Sequence, residues 1–455
     1  MKVTVIGAGP GGYEAAIMAA KCGAEVTVIE KDQVGGTCLN RGCIPTKAFL
    51  AATDVLDAVE NAGEFGITTG EYSVDYSQIL ARKNKVKDSL IKGIEALFKQ
   101  NKVTLIHGIA TLKDAHTVVV EGAEGTQEIE TDKIILATGS APVCPGMFKY
   151  DGETVITSDE ILDLDVLPAS IIIVGGGVIG CEIGQFLRRL GVEVTIVEAL
   201  SQILPNMDKD ISKQLARQLK KEKVKMVTGV GVQEVEVSDA GVKATLANGK
   251  VFEAEKMLVS IGRRSYTDAL NAAAAGVEMD ERGRIVVNDK METSVPGIYA
   301  IGDIIATAQL AHVASKEGIV AAENACGADK KVDYRAVPGC VYTDPEVASV
   351  GLTEAECADK GITTHIGTFD FRMLGKAQAI GKIQGFVKII TNDDDVIIGA
   401  AVVGPHATDL LAELSLAVHC RLTAAQVGDV IHPHPSLSEA LMEALHDVHG
   451  KSVHK

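Results

Sequence analysis

The chain has 455 residues, enough for about three domains of ordinary size. Its 61 acidic and 44 basic side chains leave a net charge of −17, which argues against a protein that binds nucleic-acid phosphates through a basic face. No apolar run approaches the about 20 residues that a membrane-spanning helix needs, and Met1 leads directly into a predicted strand. We therefore expect no membrane association and a cytoplasmic location.

The first thirty residues have the pattern of a βαβ unit. Strands are predicted at Lys2–Ile6 and Ala24–Ile29, with a helix at Tyr13–Cys22 between them. The turn after the first strand, GAGPGG, has the spacing of a dinucleotide-binding fingerprint. Its glycines allow a tight turn, the approach of a pyrophosphate and close helix packing, and an acidic residue then accepts hydrogen bonds from a ribose. These candidates are Gly7, Gly9, Gly12 and Glu30.

The same pattern recurs about 168 residues later, which predicts a second nucleotide-binding domain. Strands are predicted at Ser170–Val174 and Val192–Val197 and a helix at Cys181–Leu190. The matching residues are Gly175, Gly177, Gly180 and Glu198. A carboxylate at Glu198 favours a free ribose 2′-hydroxyl, and the ALSQ segment that follows offers no Arg or Lys to a 2′-phosphate. The second site is therefore predicted to bind NAD rather than NADP.

The rest of the chain reads as strands and helices without another glycine fingerprint. A long amphipathic helix is predicted at Val86–Lys99, and from about Arg335 strands alternate with helices, which indicates a third, α+β domain. The other predicted strands are Val103–His107, Thr117–Val120, Lys133–Ala137, Lys256–Ile261, Gly297–Ile301, Gly385–Thr391 and Val396–Val403, and the other predicted helices are Ala407–His419 and Ser438–His446.

Two cysteines lie five residues apart in the segment GGTCLNRGCIPTK, at the predicted start of a helix. A helix N-terminus and Lys47 would lower the pKa of a thiol here, so Cys38 and Cys43 are candidates for a reversible redox pair. Spacing alone equally allows two separate buried thiols. The other seven cysteines are scattered singly and are expected to be small core residues, and no histidine or cysteine spacing predicts a metal site.

The segment HPHPSLSE near the C-terminus places two histidines before prolines, which keeps both off the following helix. A histidine can take and return a proton near neutral pH, and a carboxylate can orient its ring. The pattern does not choose between His432 and His434. Glu439 is a candidate partner, but SLSE equally fits a helix capping box.

These motifs resemble, in this order and over essentially the whole chain, the flavin-dependent pyridine nucleotide–disulfide oxidoreductases. The specific matches are GGTCLNRGCIPTK at 35–47, GGGVIGCE at 175–182 and HPHPSLSE at 432–439. The resemblance implies an α/β fold with two Rossmann-like domains, for FAD and NAD, and a C-terminal α+β dimerisation domain. The expected ranges are 1–143 and 265–334 for the FAD-binding part, 144–264 for the NAD-binding part and 335–455 for dimerisation.

The resemblance also assigns roles to residues. Cys43 would lie against the flavin, Cys38 would exchange with substrate, and Lys47 would pair with Glu182 near the flavin ring. It selects His434 as the acid–base, paired with Glu439 and serving the active site of the other subunit of a homodimer. On the NAD side it adds Gly262. On the FAD side it adds Gly108, Thr138, Gly139, Ser140, Asp303, Gln309, Leu310, Ala311 and His312.

Within the family, the motifs most resemble members that oxidise protein-bound dihydrolipoyl groups with NAD. The implied partner is a lipoyl-carrying chain of a 2-oxoacid dehydrogenase or glycine cleavage complex. Arg41 replaces the usual aliphatic residue between the cysteines, and its guanidinium would favour a thiolate. Two rival functions remain: an NADH-dependent reductase of another small disulfide, and a non-catalytic flavin-bound scaffold.

Overall fold

The computed structural model describes residues 1–455. The twelve helices, α1 to α12, are Pro10–Lys21, Gly36–Arg41, Cys43–Glu60, Tyr76–Gln100, Val178–Arg189, Lys209–Lys221, Ala311–Ala325, Glu354–Asp359, Gly375–Ala379, Ala407–Cys420, Ala424–Gly428 and Glu439–Asp447. The strands β1 to β12 are Lys2–Ile6, Glu25–Glu30, Thr104–His107, Ile109–Leu112, Thr117–Gly122, Gly125–Glu130, Lys133–Leu136, Ser140–Pro142, Val155–Ile156, Ser170–Val174, Glu193–Glu198 and Lys225–Thr228. The strands β13 to β23 are Val232–Ser238, Gly241–Leu246, Val251–Ala254, Lys256–Val259, Arg263–Ser265, Ile298–Ala300, Gly339–Val341, Glu346–Gly351, His365–Asp370, Phe386–Thr391 and Ile397–Gly404.

The first sheet is parallel and has the strand order β18-β7-β1-β2-β3. Its central strand β1 is buried apart from its first residue and leads into the first glycine turn. The edge strand β18 comes from residues 298–300, far along the chain from β1. The unit that carries the first fingerprint is therefore assembled from two separated stretches of sequence.

The second sheet repeats this arrangement with the order β12-β11-β10-β16-β9, again parallel. In both sheets the fingerprint turn follows the middle strand, so each turn lies at the carboxyl edge where open α/β sheets bind ligands. The strand β16 pairs with β10, and the chain then returns to the first unit through β17, which pairs with β8.

The third sheet has the order β19-β20-β23-β22-β21 and is antiparallel. Helices α10 and α12 cover one face and bury leucines such as Leu414 and Leu441 against it. Valines of this sheet also share a core with the second sheet and with Phe49 of α3, which joins the third unit to the rest. The predicted fold class, two Rossmann-like units and a C-terminal α+β unit, is confirmed.

Most predicted elements are present with ends shifted by a few residues, and the helix starts differ most. Helix α1 begins at Pro10 and α5 at Val178, because the later glycines of each fingerprint are already helical. Helix α4 begins ten residues before its predicted start, where the Asp75 carboxylate accepts a hydrogen bond from Gln78 N. None of the helices combines the length and apolar character needed to cross a membrane.

The close packing of α1 on β1 depends on Gly12, and this yields a stability prediction. A Cβ at Gly12 would lie 1.9 Å from the Gly7 carbonyl oxygen, which no small adjustment relieves. We expect Gly12→Ala to lower the free energy of unfolding by about 1–3 kcal/mol, measured by urea denaturation. Gly63→Ala is the matched control, because its Cβ would meet no atom within 4 Å. Equal denaturation midpoints for the two variants would contradict this account of the turn.

Candidate active site

A cavity of about 1390 Å³ runs along the carboxyl edge of the first sheet and reaches the second and third units. Residues from all three units line it, including Gly9 of the first turn, Ile179 of α5 and Leu411 of α10. Seventeen of the predicted site residues line this cavity: Gly7, Gly9, Gly12, Glu30, Cys38, Cys43, Lys47, Gly108, Thr138, Gly139, Ser140, Glu182, Asp303, Gln309, Leu310, Ala311 and His312.

The first fingerprint forms one end of the cavity and fits the pyrophosphate of a dinucleotide. Gly7 has a φ of +100°, which favours glycine, and a Cβ at Gly36 would lie 2.6 Å from the Cα of Gly9. No side chain caps the N-terminus of α1, so its first N–H groups are available to a phosphate. The site thus offers what FAD needs at its pyrophosphate.

Glu30 is buried at the end of β2 and braces this turn. One carboxylate oxygen accepts a hydrogen bond from Ala8 N at 2.7 Å and the other accepts one from Asp32 N at 2.9 Å. A carboxylate has about four lone-pair positions, so both oxygens keep capacity for ribose hydroxyls. The carbonyl oxygen of Glu30 also accepts from Gly108 N at 3.0 Å, which places Gly108 at the cavity wall.

The second fingerprint has the same internal geometry. Glu198 accepts from Gly176 N and from Leu200 N, both at 2.7 Å. Gly175 has a φ of +106°, and a Cβ at Gly180 would lie 2.0 Å from the Gly175 carbonyl oxygen. These residues, together with Gly177 and Gly262, do not line the large cavity. The chain therefore offers two distinct dinucleotide sites built on one plan.

The two cysteines of the predicted redox pair meet in the cavity. Cys38 lies in the short helix α2, and Cys43 is the first residue of α3, after Gly42 breaks the helical path. A hydrogen bond from the Cys38 thiol and the nearby Lys47 ammonium lower the pKa of Cys43 to about 7, although burial opposes this. The hydrogen bond with Cys43, together with burial, raises the pKa of Cys38. In the dithiol form Cys43 is thus the thiolate, and Cys38 keeps its proton and donates it.

An ion pair beside Cys43 connects the three units. Lys47 Nζ of α3 lies 2.9 and 3.1 Å from the two carboxylate oxygens of Glu182 on α5. Glu182 is only 3% exposed and also accepts a hydrogen bond from Tyr342 N at 2.8 Å. The Tyr342 ring lies under the same ammonium, with 4.3 Å between Nζ and the ring centroid. Tyr342 was missed by the sequence reasoning, because no local pattern marks a residue that acts through a distant Lys.

Arg41 does not act as the sequence analysis expects. Its guanidinium pairs with the carboxylate of Asp32, and this hydrogen bond raises the pKa of Arg41. The cation that stabilises the Cys43 thiolate is Lys47. The expectation that Arg41 favours a thiolate is therefore corrected, because Asp32 neutralises it locally.

A polar network forms the wall between the two Rossmann-like units. The Ser140 hydroxyl donates to the carboxylate of Asp303, and Arg263 donates to Ser140 Oγ at 2.7 Å and to its carbonyl oxygen at 2.8 Å. Ser265 Oγ donates to the carbonyl oxygen of Asp303 at 2.7 Å. Asp303 and Ser140 are thereby fixed on the cavity surface. Arg263 directly follows Gly262, but its contacts with Ser140 become visible only through the pairing of β8 with β17.

The other residues that the resemblance assigns to the FAD side lie along the same wall of the cavity. Thr138 Oγ1 donates to the carbonyl oxygen of Tyr266 at 2.6 Å, and Gly139 O accepts from Tyr266 N at 2.8 Å. His312, in the first turn of α7, makes a 2.9 Å hydrogen bond from Nε2 to Pro338 O, and burial lowers its pKa. Gln309, Leu310 and Ala311 lead into that helix along the cavity.

The two candidate histidines have different environments. Both ring nitrogens of His432 are occupied, Nδ1 by Val430 O at 2.8 Å and Nε2 by Glu413 at 3.0 Å, and the side chain is 4% exposed. His434 Nδ1 lies 2.8 Å from a Glu439 carboxylate oxygen, and its side chain is 78% exposed. The geometry leaves Nε2 of His434 free to exchange a proton. Neither His434 nor Glu439 lines the cavity of its own chain.

Glu439 also holds the chain that precedes α12. Its second oxygen accepts a hydrogen bond from Ser436 N at 2.8 Å. Helix α12 begins at Glu439, its N-cap residue is Ser438 and no side chain caps it, so the capping box that the sequence allows is not formed. Burial opposes ionisation of Glu439, but the hydrogen bonds from His434 and Ser436 lower its pKa on balance.

The sequence analysis expects the seven isolated cysteines to be core residues, and this expectation is only partly correct. Cys181 and Cys357 are buried, whereas Cys22 and Cys420 are exposed and Cys144, Cys326 and Cys340 are half-buried.

One group of three carboxylates, at Asp208, Asp210 and Glu354, surrounds the ammonium of Lys388 at 2.6–3.2 Å.

A dithiol pair at a large dinucleotide cavity, next to a second dinucleotide turn, defines a flavoprotein disulfide oxidoreductase. The family model described as "Pyridine nucleotide-disulphide oxidoreductase" matches residues 1–318, and the model of the dimerisation domain of that family matches residues 337–445. The chain belongs to this family, and it is an NAD-dependent flavoprotein that uses FAD and NAD. The second match supports a homodimer.

Comparison with individual proteins shows which members of this family the chain resembles. The chain is 43% identical to the dihydrolipoyl dehydrogenase of Chlamydia muridarum, over 97% of this chain and 95% of the relative. It is 41% identical to that of Bacillus subtilis, over 99% and 98%. Among solved structures, LpdA from Mycobacterium tuberculosis has a TM-score of 0.92 at 30% identity, over 98% of this chain and 99% of that one. The HOCl-induced flavoprotein disulfide reductase RclA from Escherichia coli has a TM-score of 0.87 at 26% identity, over 98% and 99%.

The shared proton of the cysteine pair yields a pH prediction. In the reduced enzyme, the rate at which iodoacetamide alkylates Cys43 should rise with pH around a midpoint of about 7. Cys38→Ala removes the donor and should move this midpoint up by about 1–2 units, whereas Cys38→Ser keeps a hydroxyl donor and should move it less. The measurement is peptide mass spectrometry of timed reactions across a pH series. The same midpoint in both variants would refute a hydrogen bond from Cys38 as the cause.

Proposed function

We propose that this protein oxidises protein-bound dihydrolipoyl groups to the disulfide form with NAD as the final acceptor. The observation that carries this proposal is the Cys38–Cys43 pair in a cavity bordered by one dinucleotide turn and close to a second. The full-length similarity to proteins named dihydrolipoyl dehydrogenase supports the choice of substrate.

The chemistry starts from the oxidised form, in which Cys38 and Cys43 share a disulfide. A substrate thiolate attacks Cys38 Sγ, and Cys43 leaves as the thiolate that its lowered pKa favours. The second substrate thiolate then attacks the substrate sulfur of the mixed disulfide, which releases the cyclic lipoyl disulfide and Cys38. The two electrons of the substrate now reside in the Cys38–Cys43 dithiol. Bound FAD supplies two-electron transfer between this dithiol and a nicotinamide.

His434 supplies the base for this exchange. Glu439 accepts from Nδ1 and holds the ring, so Nε2 can remove the proton from a substrate thiol and return it later. His434 lies outside the cavity of its own chain and is largely exposed, as is its neighbour Ile431 at 96%. Both features support a homodimer in which His434 faces the Cys38–Cys43 pair of the partner.

The second turn favours NAD over NADP. The two carboxylate oxygens of Glu198 accept hydrogen bonds from Gly176 N in the turn and from Leu200 N after the strand, and a negative charge at this position would repel a ribose 2′-phosphate. The two arginines earlier on α5 are engaged elsewhere, since Arg188 donates to the Glu222 carbonyl oxygen and Arg189 pairs with Glu222 and Asp344. No guanidinium from this helix is therefore free to hold a 2′-phosphate.

We also propose the ranges of the three domains, the partner and the cellular location. The FAD-binding part comprises residues 1–143 and 265–334, the NAD-binding part residues 144–264, and the dimerisation part residues 335–455. The partner is a lipoyl-carrying chain of a 2-oxoacid dehydrogenase or glycine cleavage complex, and the location is cytoplasmic. The split of the first sheet around the second supports the division of the FAD-binding part.

A substrate panel tests the proposed reaction. Steady-state rates in the disulfide-reducing direction are compared for lipoamide, glutathione disulfide and coenzyme A disulfide, each with NADH and with NADPH. The proposal predicts that lipoamide with NADH has the largest kcat/KM. Faster reduction of another disulfide would favour the rival reductase, and no turnover of any disulfide would favour the scaffold.

The His434 assignment predicts a loss of turnover without a loss of flavin. Because general acid–base help is worth about 10²–10⁴ in rate, His434→Gln should lower lipoamide turnover by that factor while the protein stays yellow. His365→Gln is the matched control, since His365 is also an exposed histidine that contacts a carboxylate, Asp393 at 3.2 Å. Stopped-flow reduction of the enzyme by NADH should be unchanged in both variants. Unaltered lipoamide turnover in His434→Gln would overturn the assignment.

A further inference from the structure

A second pair of thiols lies away from the cavity, at the C-terminal ends of α1 and α7. Cys22 is the residue that caps α1 and Cys326 is the residue that caps α7. The sulfur of Cys326 lies 4.0 Å from the carbonyl oxygen of Ala19, in the last turn of α1 and three residues before Cys22. The pair is separated by about 300 residues in sequence but meets in the fold.

The packing of α1 against α7 explains why these residues meet. At the other end of the two helices, a Cβ at Gly318 would lie 2.3 Å from the Gly11 carbonyl oxygen, and one at Gly11 would lie 2.7 Å from Ala314 O. The glycines thus allow the helix backbones to touch. Residues near 11 face 314–318 and residues near 19 face 326, so the helices run parallel and their C-terminal ends coincide.

The two thiols differ in accessibility, which sets the order of a reaction. Cys22 is exposed, whereas Cys326 is half-buried against the core of the first unit. Burial and the neighbouring Cys22 thiol raise the pKa of Cys326 to about 11. An oxidant from solvent therefore meets Cys22 first, and Cys326 is the adjacent thiol that can resolve the product.

We propose that Cys22 and Cys326 form a second, peroxide-driven disulfide that fastens together the two sequence stretches of the first Rossmann-like unit. Hydrogen peroxide converts the Cys22 thiol to a sulfenic acid and releases one water. The sulfur of Cys326 then displaces the hydroxyl, the S–S bond forms, and the Cys326 proton leaves with that hydroxyl as a second water. Two thiols are oxidised and one peroxide is reduced to two waters.

The bond would stabilise the unit that holds the large cavity. Helix α1 follows β1, and α7 follows β18, the strand that the chain adds after completing the second unit. Both helices begin at the cavity, directly after their N-cap residues Gly9 and Leu310. Cross-linking their far ends closes a loop of about 300 residues in the unfolded chain, which in the chain-entropy model should raise the thermal midpoint by roughly 5 °C.

The test uses the FAD-loaded protein, treated with hydrogen peroxide and then digested without reduction. Mass spectrometry should find a peptide pair joined through Cys22 and Cys326, and the thermal midpoint should rise by roughly 5 °C and fall back with dithiothreitol. Cys22→Ser and Cys326→Ser should each abolish the pair and the shift. Cys420→Ser, at another exposed cysteine, should abolish neither. Comparison with Cys22→Ser also removes any contribution from Cys38–Cys43, which all the variants retain.

Two outcomes would overturn the proposal. One is the absence of the Cys22–Cys326 peptide pair in samples where Cys38 and Cys43 are fully oxidised. The other is a peptide pair whose formation leaves the thermal midpoint of the wild-type chain equal to that of Cys22→Ser, because the bond would then fasten nothing.

Discussion

The ion pair between Lys47 and Glu182 is the contact on which the arrangement of the site depends. Lys47 belongs to α3 of the first unit and Glu182 to α5 of the second. Tyr342, whose N–H donates a further hydrogen bond to Glu182, follows β19 of the third unit. Removing the cation from a carboxylate that is 3% exposed would leave an almost fully buried charge, which typically costs about 3–5 kcal/mol. The same cation lowers the pKa of Cys43. Assembly of the three units and activation of the leaving thiol therefore share one interaction.

Two nearly identical turns flank this ion pair, and their likeness has a simple cause. In each unit an acidic residue at the end of the second strand, Glu30 or Glu198, accepts hydrogen bonds from backbone N–H groups of the turn and of the loop that follows. The turn is therefore held in place before any ligand binds. The first turn opens into the large cavity and the second does not, so the same hydrogen-bonded turn occurs in two different surroundings.

Much of this fold could be predicted from the sequence, because period-two strands and glycine turns are local patterns. The redox cysteines and the glycines of both turns lie in contiguous motifs, so they too were visible in the sequence. Tyr342 and Arg263 were not, since their contacts join segments that only tertiary packing brings together. The Asp32–Arg41 pair was also missed, because its nine-residue spacing matches no local pattern. Local spacing does not choose between His432 and His434. The resemblance selects His434, and the ring nitrogens of His432, both already occupied, favour the same choice. The exposure of Cys22 was also missed, because it depends on tertiary packing, whereas Cys326 does pack against the core of the first unit as a half-buried residue.

In the proposed reaction, electrons from a nicotinamide and from a substrate dithiol meet at one pair of cysteines. The most direct measurement is an anaerobic titration of the oxidised enzyme with NADH, followed by alkylation and peptide mapping. One equivalent of NADH per chain should create two new thiols, at Cys38 and Cys43, with no change at the other seven cysteines. Flavin bleaching without new thiols, or new thiols at other positions, would contradict it.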